Sequence, residues 1–328
     1  MSAVDLVYRT TADPLLRLLS HGFATAYHRP PDAVWRAPYA FRVTASAVPP
    51  GPPRNGTAPR TDWCAAADQY VDVAVAPRAD GVLRCASLNH PAETAELPLT
   101  GPAAQAPGWI ARPYAVLRTL AAAGCGRGGA DLQLNAPLPE AVGLPVAEPL
   151  ECAVALAVAD VHAGRGEGPP VRAQLARLLG AAVPGDDGLR RAVLFARAGH
   201  LLAADGSHQP LRAPDGGTDA CLLLLTARPA TGGGAGMDGA GPATATAAAT
   251  ASSLATGLAD AVRAALRAGA WSAWWPGTRP GRSVLLLVPP DRRAAVRTAA
   301  ADAFRRCDLP VPRVLRIAVA AAARREDR

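Results

Sequence analysis

The stretch GADLQLNAPLPEAVGLPVAEPLECAVALAVAD, Gly129 to Asp160, decides how this chain is read. It opens on ADLQLNAPLP, which reads as a strand, and turns through Gly143. From Glu148 to Gly164 it becomes a long helix so apolar on all sides that it must be buried. Strand, glycine turn and buried helix together make one βα unit. A glycine turn that feeds a helix can cradle an anion with free N–H groups and the positive end of the helix dipole. Here Pro145 and Pro149 each lack that N–H, and Glu148 sets a carboxylate at the same helix start, where the dipole stabilises it and a phosphate is repelled.

Working outward, 328 residues with 50% hydrophobic content can bury a large core and suggest two lobes more readily than one. The net charge is +7, carried by 34 arginines and no lysine. The arginines are scattered and only 5% of residues are aromatic, so they read as an arginine-for-lysine bias, and no nucleic-acid partner is expected. Cys64, Cys85, Cys125, Cys152, Cys221 and Cys307 form no C-x-x-C pair and have no histidine at metal-ligand spacing, so they read as reduced thiols with no metal site. The six histidines are isolated, and His200 reads as a packing or loop hydrogen-bonding residue. Asp5, Arg9, Asp13 and Arg17 break up any secretory apolar segment, and no run approaches a membrane span. A soluble, cytoplasmic protein without a membrane partner is expected.

Along the chain, QYVDVAVAPRADGVLRCASL reads as a β-hairpin turning at Pro77 to Gly81. Gly108 to Gly126 reads as a helix ending in glycine. RAGHLLAAD and TDACLLLLTAR read as strands, the second so continuously apolar that it belongs centrally in a sheet. Residues 229–257 are a Gly/Ala/Thr tract too poor in large side chains to offset its ordering entropy, and it reads as a flexible linker. Beyond it, a helix from Leu258 to Gly269, the strand SVLLLVPP, the helix DRRAAVRTAAADAFRRCD and the strand VPRVLRIAV make a smaller α+β lobe. Trp271, Trp274 and Trp275, spaced i, i+3, i+4, share one face if helical and read as core or interlobe packing.

Five blocks in this order resemble the galactokinases of the GHMP family of small-molecule kinases. FATAYHRPPDAVWRAPYAFRV is similar to the family's aromatic helix and V-x-A-P-G-R-V-N-L strand, and VDVAVAPRADGVLR to its first hairpin. Gly129 to Asp160 resembles its strand, phosphate loop and buried helix. VPGDDGLRRAVLFARAGHLLAAD resembles the segment with the catalytic aspartate, and ALRAGAWSAWWPGTRPGRSVLLLVP the distal glycine-rich loop and strand. The resemblance implies an α+β two-lobe GHMP-kinase fold: a larger N-terminal lobe over 1–228, the linker over 229–257 and a smaller C-terminal lobe over 258–328.

The residues that carry the family's chemistry are those that depart. The catalytic arginine position is Ala40, and the sugar-binding glutamate and histidine positions are Ser46 and Ala47. The phosphate loop G-x-G-L-S-S-S-A-A-x-E is met by Ala141 to Glu151. Gly143, Leu144 and Glu151 remain, Pro145, Val146 and Ala147 replace the three serines, Glu148 stands where the family has alanine, and no hydroxyl is left to hold Mg²⁺. P-T-G-x-M-D-Q becomes Pro184 to Arg190, with Leu189 at the position of the catalytic carboxylate and Asp186 and Asp187 as substitutes. Asp187, two residues before Leu189, is expected on nearly the opposite helix face. The distal G-G-G-F-G-G becomes Gly277 to Arg282.

Three functions follow from the sequence. The first is a galactokinase-like pseudokinase whose ATP, Mg²⁺ and sugar sites are dismantled. The second is an active sugar kinase, converting galactose to galactose 1-phosphate with ATP and Mg²⁺ through displaced residues. The third is an anion-binding module in which Arg42, Arg190, Arg191, Arg279 and Arg282 surround the cleft and take a small sugar, a phosphorylated metabolite or an acidic partner.

Overall fold

The computed structural model describes residues 13–44, 63–136, 143–163, 171–214, 220–228, 243–278 and 281–327, with 243–252 as backbone only. In chain order the elements are α1 Pro14–Tyr27, β1 Ala33–Val43, β2 Trp63–Pro77, β3 Val82–Ser87, β4 Thr94–Pro98, α2 Ala111–Ala122, β5 Gly129–Asn135, α3 Ala147–His162, α4 Arg172–Ala182 and α5 Asp187–Phe195. They continue with β6 His200–Ala203, β7 His208–Pro210, β8 Cys221–Thr226, α6 Ala243–Arg267, β9 Ser272–Trp274, β10 Ser283–Val288, α7 Arg293–Arg306, β11 Arg313–Ile317 and β12 Arg324–Arg325. The fold is α+β.

The larger sheet runs β12-β1-β2-β5-β3-β4, with β6 and β7 continuing from β2. The hairpin expected at Pro77 to Gly81 does not form: β5 enters between β2 and β3, antiparallel to the first and parallel to the second. Two glycines make room for it. A Cβ on Gly128 or Gly129 would collide with the backbone of Arg78 or Val82, and Gly129 has φ +89°, a conformation glycine adopts freely. The would-be turn bonds to the intruder, through Arg78 N–H to Gly129 C=O at 3.1 Å and Gly81 N–H to Gly128 C=O at 2.8 Å.

Strand alternation divides this sheet's faces. Val71, Val73 and Val75 face the buried α3, while Val34, Ala74 and Ala76 face Leu16, Leu19 and Phe23 of α1. Helix α1 is fixed at both ends: Asp13 caps it by accepting the Leu15 N–H at 2.9 Å, Pro14 begins it, and His28 ends it in the left-handed conformation.

The smaller sheet runs β11-β8-β10-β9. Its central strands are apolar throughout because both faces are covered: Leu222, Leu224, Leu285 and Leu287 join the main core, while Leu223, Leu225 and Leu286 pack under α6 and α7. The sheets do not follow the divisions of the sequence. β8, which precedes Arg228, lies in the smaller sheet, and β12 returns to the larger one beside β1.

Two further expectations are corrected. Helix α6 begins at Ala243, so the second half of the Gly/Ala/Thr tract is helical, consistent with its alanines, the best helix formers; 229–242 lie outside the described residues. The three tryptophans share no helical face, because the backbone there pairs with β10 as β9. Trp271 and Trp274 consequently pack against the main core and Trp275 against the smaller one. Among the described residues no helix is long and apolar enough to cross a membrane.

Candidate functional site

Two chain segments meet where the resemblance places a phosphate and a reacting hydroxyl: the loop entering α3 and the start of α5. Gly143 has φ +74° and packs so tightly that a Cβ there would overlap Ser283 at the head of β10. Ser283 Oγ donates to Thr226 Oγ1 at 3.0 Å, so the loop rests on a buried hydroxyl pair of the smaller sheet. Leu144 is buried. Pro145 faces Gly277 of the distal loop, where an added Cβ would stand 3.7 Å from its Cγ. Helix α3 begins at Ala147 with no side-chain cap, and Pro149 removes one donor from its first turn.

Glu148, buried at that helix start, accepts the Asp186 N–H at 3.0 Å. One turn further along, Glu151 is fully buried, and its Oε2 accepts from Arg190 Nε at 2.9 Å. Arg112, on α2, closes the other oxygen of Glu151 and also donates to the Pro184 carbonyl. Arg190 is itself 1% exposed and donates to Asp187 at 2.8 Å and to the Val183 carbonyl at 2.6 Å. Gly185 leaves space for this guanidinium, since a Cβ there would lie 2.5 Å from Arg190 Nη2. Burial pushes the Glu151 carboxyl above the ordinary carboxylate range, although Arg190 and Arg112 pull the other way. Burial works against the Arg190 cation too, but Glu151 and Asp187 outweigh it and hold the guanidinium charged. The two tendencies conflict, and we read the pair as ionised, because a neutral Glu151 would leave a buried cation facing only Asp187.

The second cluster is built on β1 and the cap of α5. Asp186 is the N-cap, its Oδ1 accepting the N–H of Gly188 at 2.9 Å and of Leu189 at 3.2 Å. Arg42 holds the same carboxylate in a fork, Nε to Oδ2 at 2.7 Å and Nη2 to Oδ1 at 2.9 Å. Ala40, two residues earlier on β1, is fully buried and lies on the same strand face as Arg42. Arg42 is tied to the distal segment through its backbone: its N–H donates to the Pro276 carbonyl at 2.8 Å and its carbonyl accepts the Trp274 indole N–H at 2.7 Å. A cavity of about 250 Å³ opens beside it, lined by Arg42, Cys64, Asp187, Gly188 and Arg191.

The structure thus gathers Gly143, Leu144, Ala147, Glu148 and Glu151 at one helix start, and Arg42, Asp186, Asp187, Arg190 and Arg191 at the next. Leu189 is buried, its side chain in the core. Arg191 donates to the Ala204 carbonyl at the cavity rim. Arg282 is exposed ahead of β10, and its carbonyl accepts the Ala227 N–H at 2.8 Å. Ser46, Ala47, Ala141, Val142 and Arg279 lie outside the described residues. His200 Nδ1 sits 2.8 Å from the Ala198 carbonyl. Arg112 was missed by sequence reasoning because its partner lies 39 positions away, with no local spacing to mark it. No group of three metal-ligating side chains occurs among the described residues.

Two sheets joined through one core, with a buried helix entering from a glycine turn, form the fold of the GHMP small-molecule kinases, and solved structures of such kinases are what this chain resembles. The crystal structure of Lactococcus lactis galactokinase complexed with galactose is similar at a TM-score of 0.68 and 14% identity, covering 94% of this chain and 99% of that one. Homoserine kinase from Cytophaga hutchinsonii is similar at 0.53 and 13%, covering 90% and 97%. The Methanococcus jannaschii mevalonate kinase is similar at 0.51 and 10%, covering 87% and 98%. No protein-family model matches the sequence, and no curated protein matches it.

Proposed function

We propose that this protein is a galactokinase-like pseudokinase: it keeps the kinase scaffold, has closed its phosphate loop with its own charges, and retains a small pocket beside Arg42. The observation that carries this reading is Glu148, a buried carboxylate at the start of α3 that is already satisfied by the Asp186 N–H. ATP and Mg²⁺, which the fold family implies, do not fit the residues present. A phosphate brought within about 4 Å of Glu148 meets a repulsion of about 4 kcal/mol at an effective dielectric near 20, on the order of a thousandfold in affinity. Pro149 has withdrawn a donor, and no serine or threonine stands in the loop from Gly143 to Glu151 to ligate a metal. Arg190, whose guanidinium borders Gly185 together with Glu148, is consumed by Glu151 and Asp187.

The pocket beside Arg42 supports the second part of the reading. Its mostly apolar lining, with Cys64, Leu202 and Ala203, carries two arginines and the exposed Asp187, suited to a small sugar or a phosphorylated metabolite. The same geometry favours one alternative, an active sugar kinase with displaced residues. Arg42 stands two residues past the family's arginine position on the same face, paired to Asp186, while Asp187 faces the cavity. Asp186 argues against it, since both its oxygens are taken by Arg42 and the helix cap.

Calorimetric titration with Mg²⁺·ATP, run beside a coupled ADP-release assay with galactose, separates the two. The pseudokinase reading expects no binding heat and no ADP above the protein-free rate. Turnover that Asp186→Asn and Asp187→Asn together abolish would establish the kinase and end the pseudokinase account. A thermal-shift panel of sugars, sugar phosphates, phosphate and sulfate tests the pocket: a rise lost in Arg191→Ala is expected, and no shift with any of them refutes ligand retention.

A further inference from the structure

A second group of charges lies on α7 and β11, which supply none of the residues gathered at the two helix starts. From Asp291 to Arg316 the chain carries seven arginines against three aspartates. Arg293, Arg297, Arg306, Arg313 and Arg316 are exposed, and none makes an ion pair among the described residues. An open groove of about 420 Å³ runs between α7 and β11, floored by Ala294, Ala301, Val311 and Val314 and flanked by Arg297 and Arg305. Arg305 is shared with Asp302 at 2.6 Å in an exposed pair of small worth.

β11 is the edge of the smaller sheet, with β8 its sole partner strand among the described residues. Alternate residues of an edge strand turn their N–H and C=O groups outward, free to pair with another chain. Arg297 and Arg305 are eight residues apart on one helix face, which places them about 12 Å apart along the axis. In an extended strand, side chains four residues apart on one face are about 13 Å apart. The two spacings match.

We propose that the groove between α7 and β11 is a docking site for an extended acidic segment of a partner protein. The segment adds to the smaller sheet beside β11, sets small apolar side chains on the Ala/Val floor, and places two carboxylates four residues apart against Arg297 and Arg305. A protein strand suits the groove better than a nucleic acid: no aromatic ring lines it, so bases have nothing to stack on. The described chain offers no acidic strand of its own for the position. The proposal is independent of the phosphate loop and stands whether or not the protein transfers phosphate.

Fluorescence anisotropy of the full chain with a labelled peptide of alternating valine and glutamate tests it. Saturable binding is expected, at least tenfold weaker for Arg297→Glu with Arg305→Glu and lost when alternate peptide nitrogens are methylated to remove the donors. Both substitutions are on the surface, and an unchanged thermal melt verifies the fold of the double variant. No binding overturns the proposal, as does equal binding of the methylated peptide, which would reduce the contact to unspecific charge. Tighter binding of an oligouridylate of equal charge would overturn it in favour of nucleic acid.

Discussion

Replacing Arg190 with methionine removes the guanidinium at the centre of the closed site while keeping much of its length. The side chain is 1% exposed and makes three kinds of contact: Glu151 at 2.8 Å, Asp187 at 2.8 Å and the Val183 carbonyl at 2.6 Å. Its loss leaves Glu151, with no exposure at all, facing Arg112 alone, and strips the Val183 carbonyl of this donor. Breaking a buried ion pair from one side costs about 3–5 kcal/mol. With about 2.1 cal/mol/K of unfolding entropy per residue over 328 residues, that cost lowers Tm by about 4–7 °C. Adding Glu151→Leu removes the stranded carboxylate and lets Arg112, half in solvent already, turn outward; the double variant is expected to regain at least half of the loss. Differential scanning calorimetry and urea unfolding read both. A single variant that loses less than about 1 kcal/mol, or a double variant that loses the sum of its parts, would refute the picture of an ion pair holding α3 to α5.

Two other measurements bear on the scaffold. Gly143→Ala forces a side chain into Ser283 at φ +74° and is expected to cost about 1–3 kcal/mol by urea midpoint, part of it recovered when Ser283→Gly clears the space. The Asp13 carboxyl is held below its ordinary value, because the Leu15 N–H and the Arg36 guanidinium together outweigh a burial that pushes it up. An acid with a depressed folded value stabilises above its unfolded value and loses that contribution as pH falls through the folded one. The acid limb of the stability curve below about pH 4 is therefore expected to be shallower in Asp13→Asn, and identical limbs would exclude Asp13 from acid unfolding.

Most of the elements could be read from the sequence because their signals are local. The apolar run of α3, the continuous leucines of β8 and β10, and the proline and aspartate at the start of α1 each announce a structure within a few residues. Strand order was less legible. Val71 to Ser87 has every mark of a hairpin, and its partner choice is decided by Gly128 and Gly129, more than forty positions on. Alanines 243–257 looked too small to order, yet small residues suit a helix once Leu254 and Leu258 supply an apolar side. At the candidate site, the departures at Pro145, Glu148 and Pro149 were visible in the sequence. The pairing of Glu151 with Arg112 and of Asp186 with Arg42 was not, because each joins distant segments through single side chains.

The insertion of β5 between β2 and β3 also governs how the chain must find this state. Neighbouring β-segments with a tight connection zip together in microseconds, far sooner than a strand arriving from beyond a helix. The native sheet holds no such hairpin here, since Val82 to Ser87 pairs instead with Gly129 to Leu134. The sheet is therefore complete only once the chain beyond α2 has returned and the glycine pair has admitted β5 into the gap between its two neighbours.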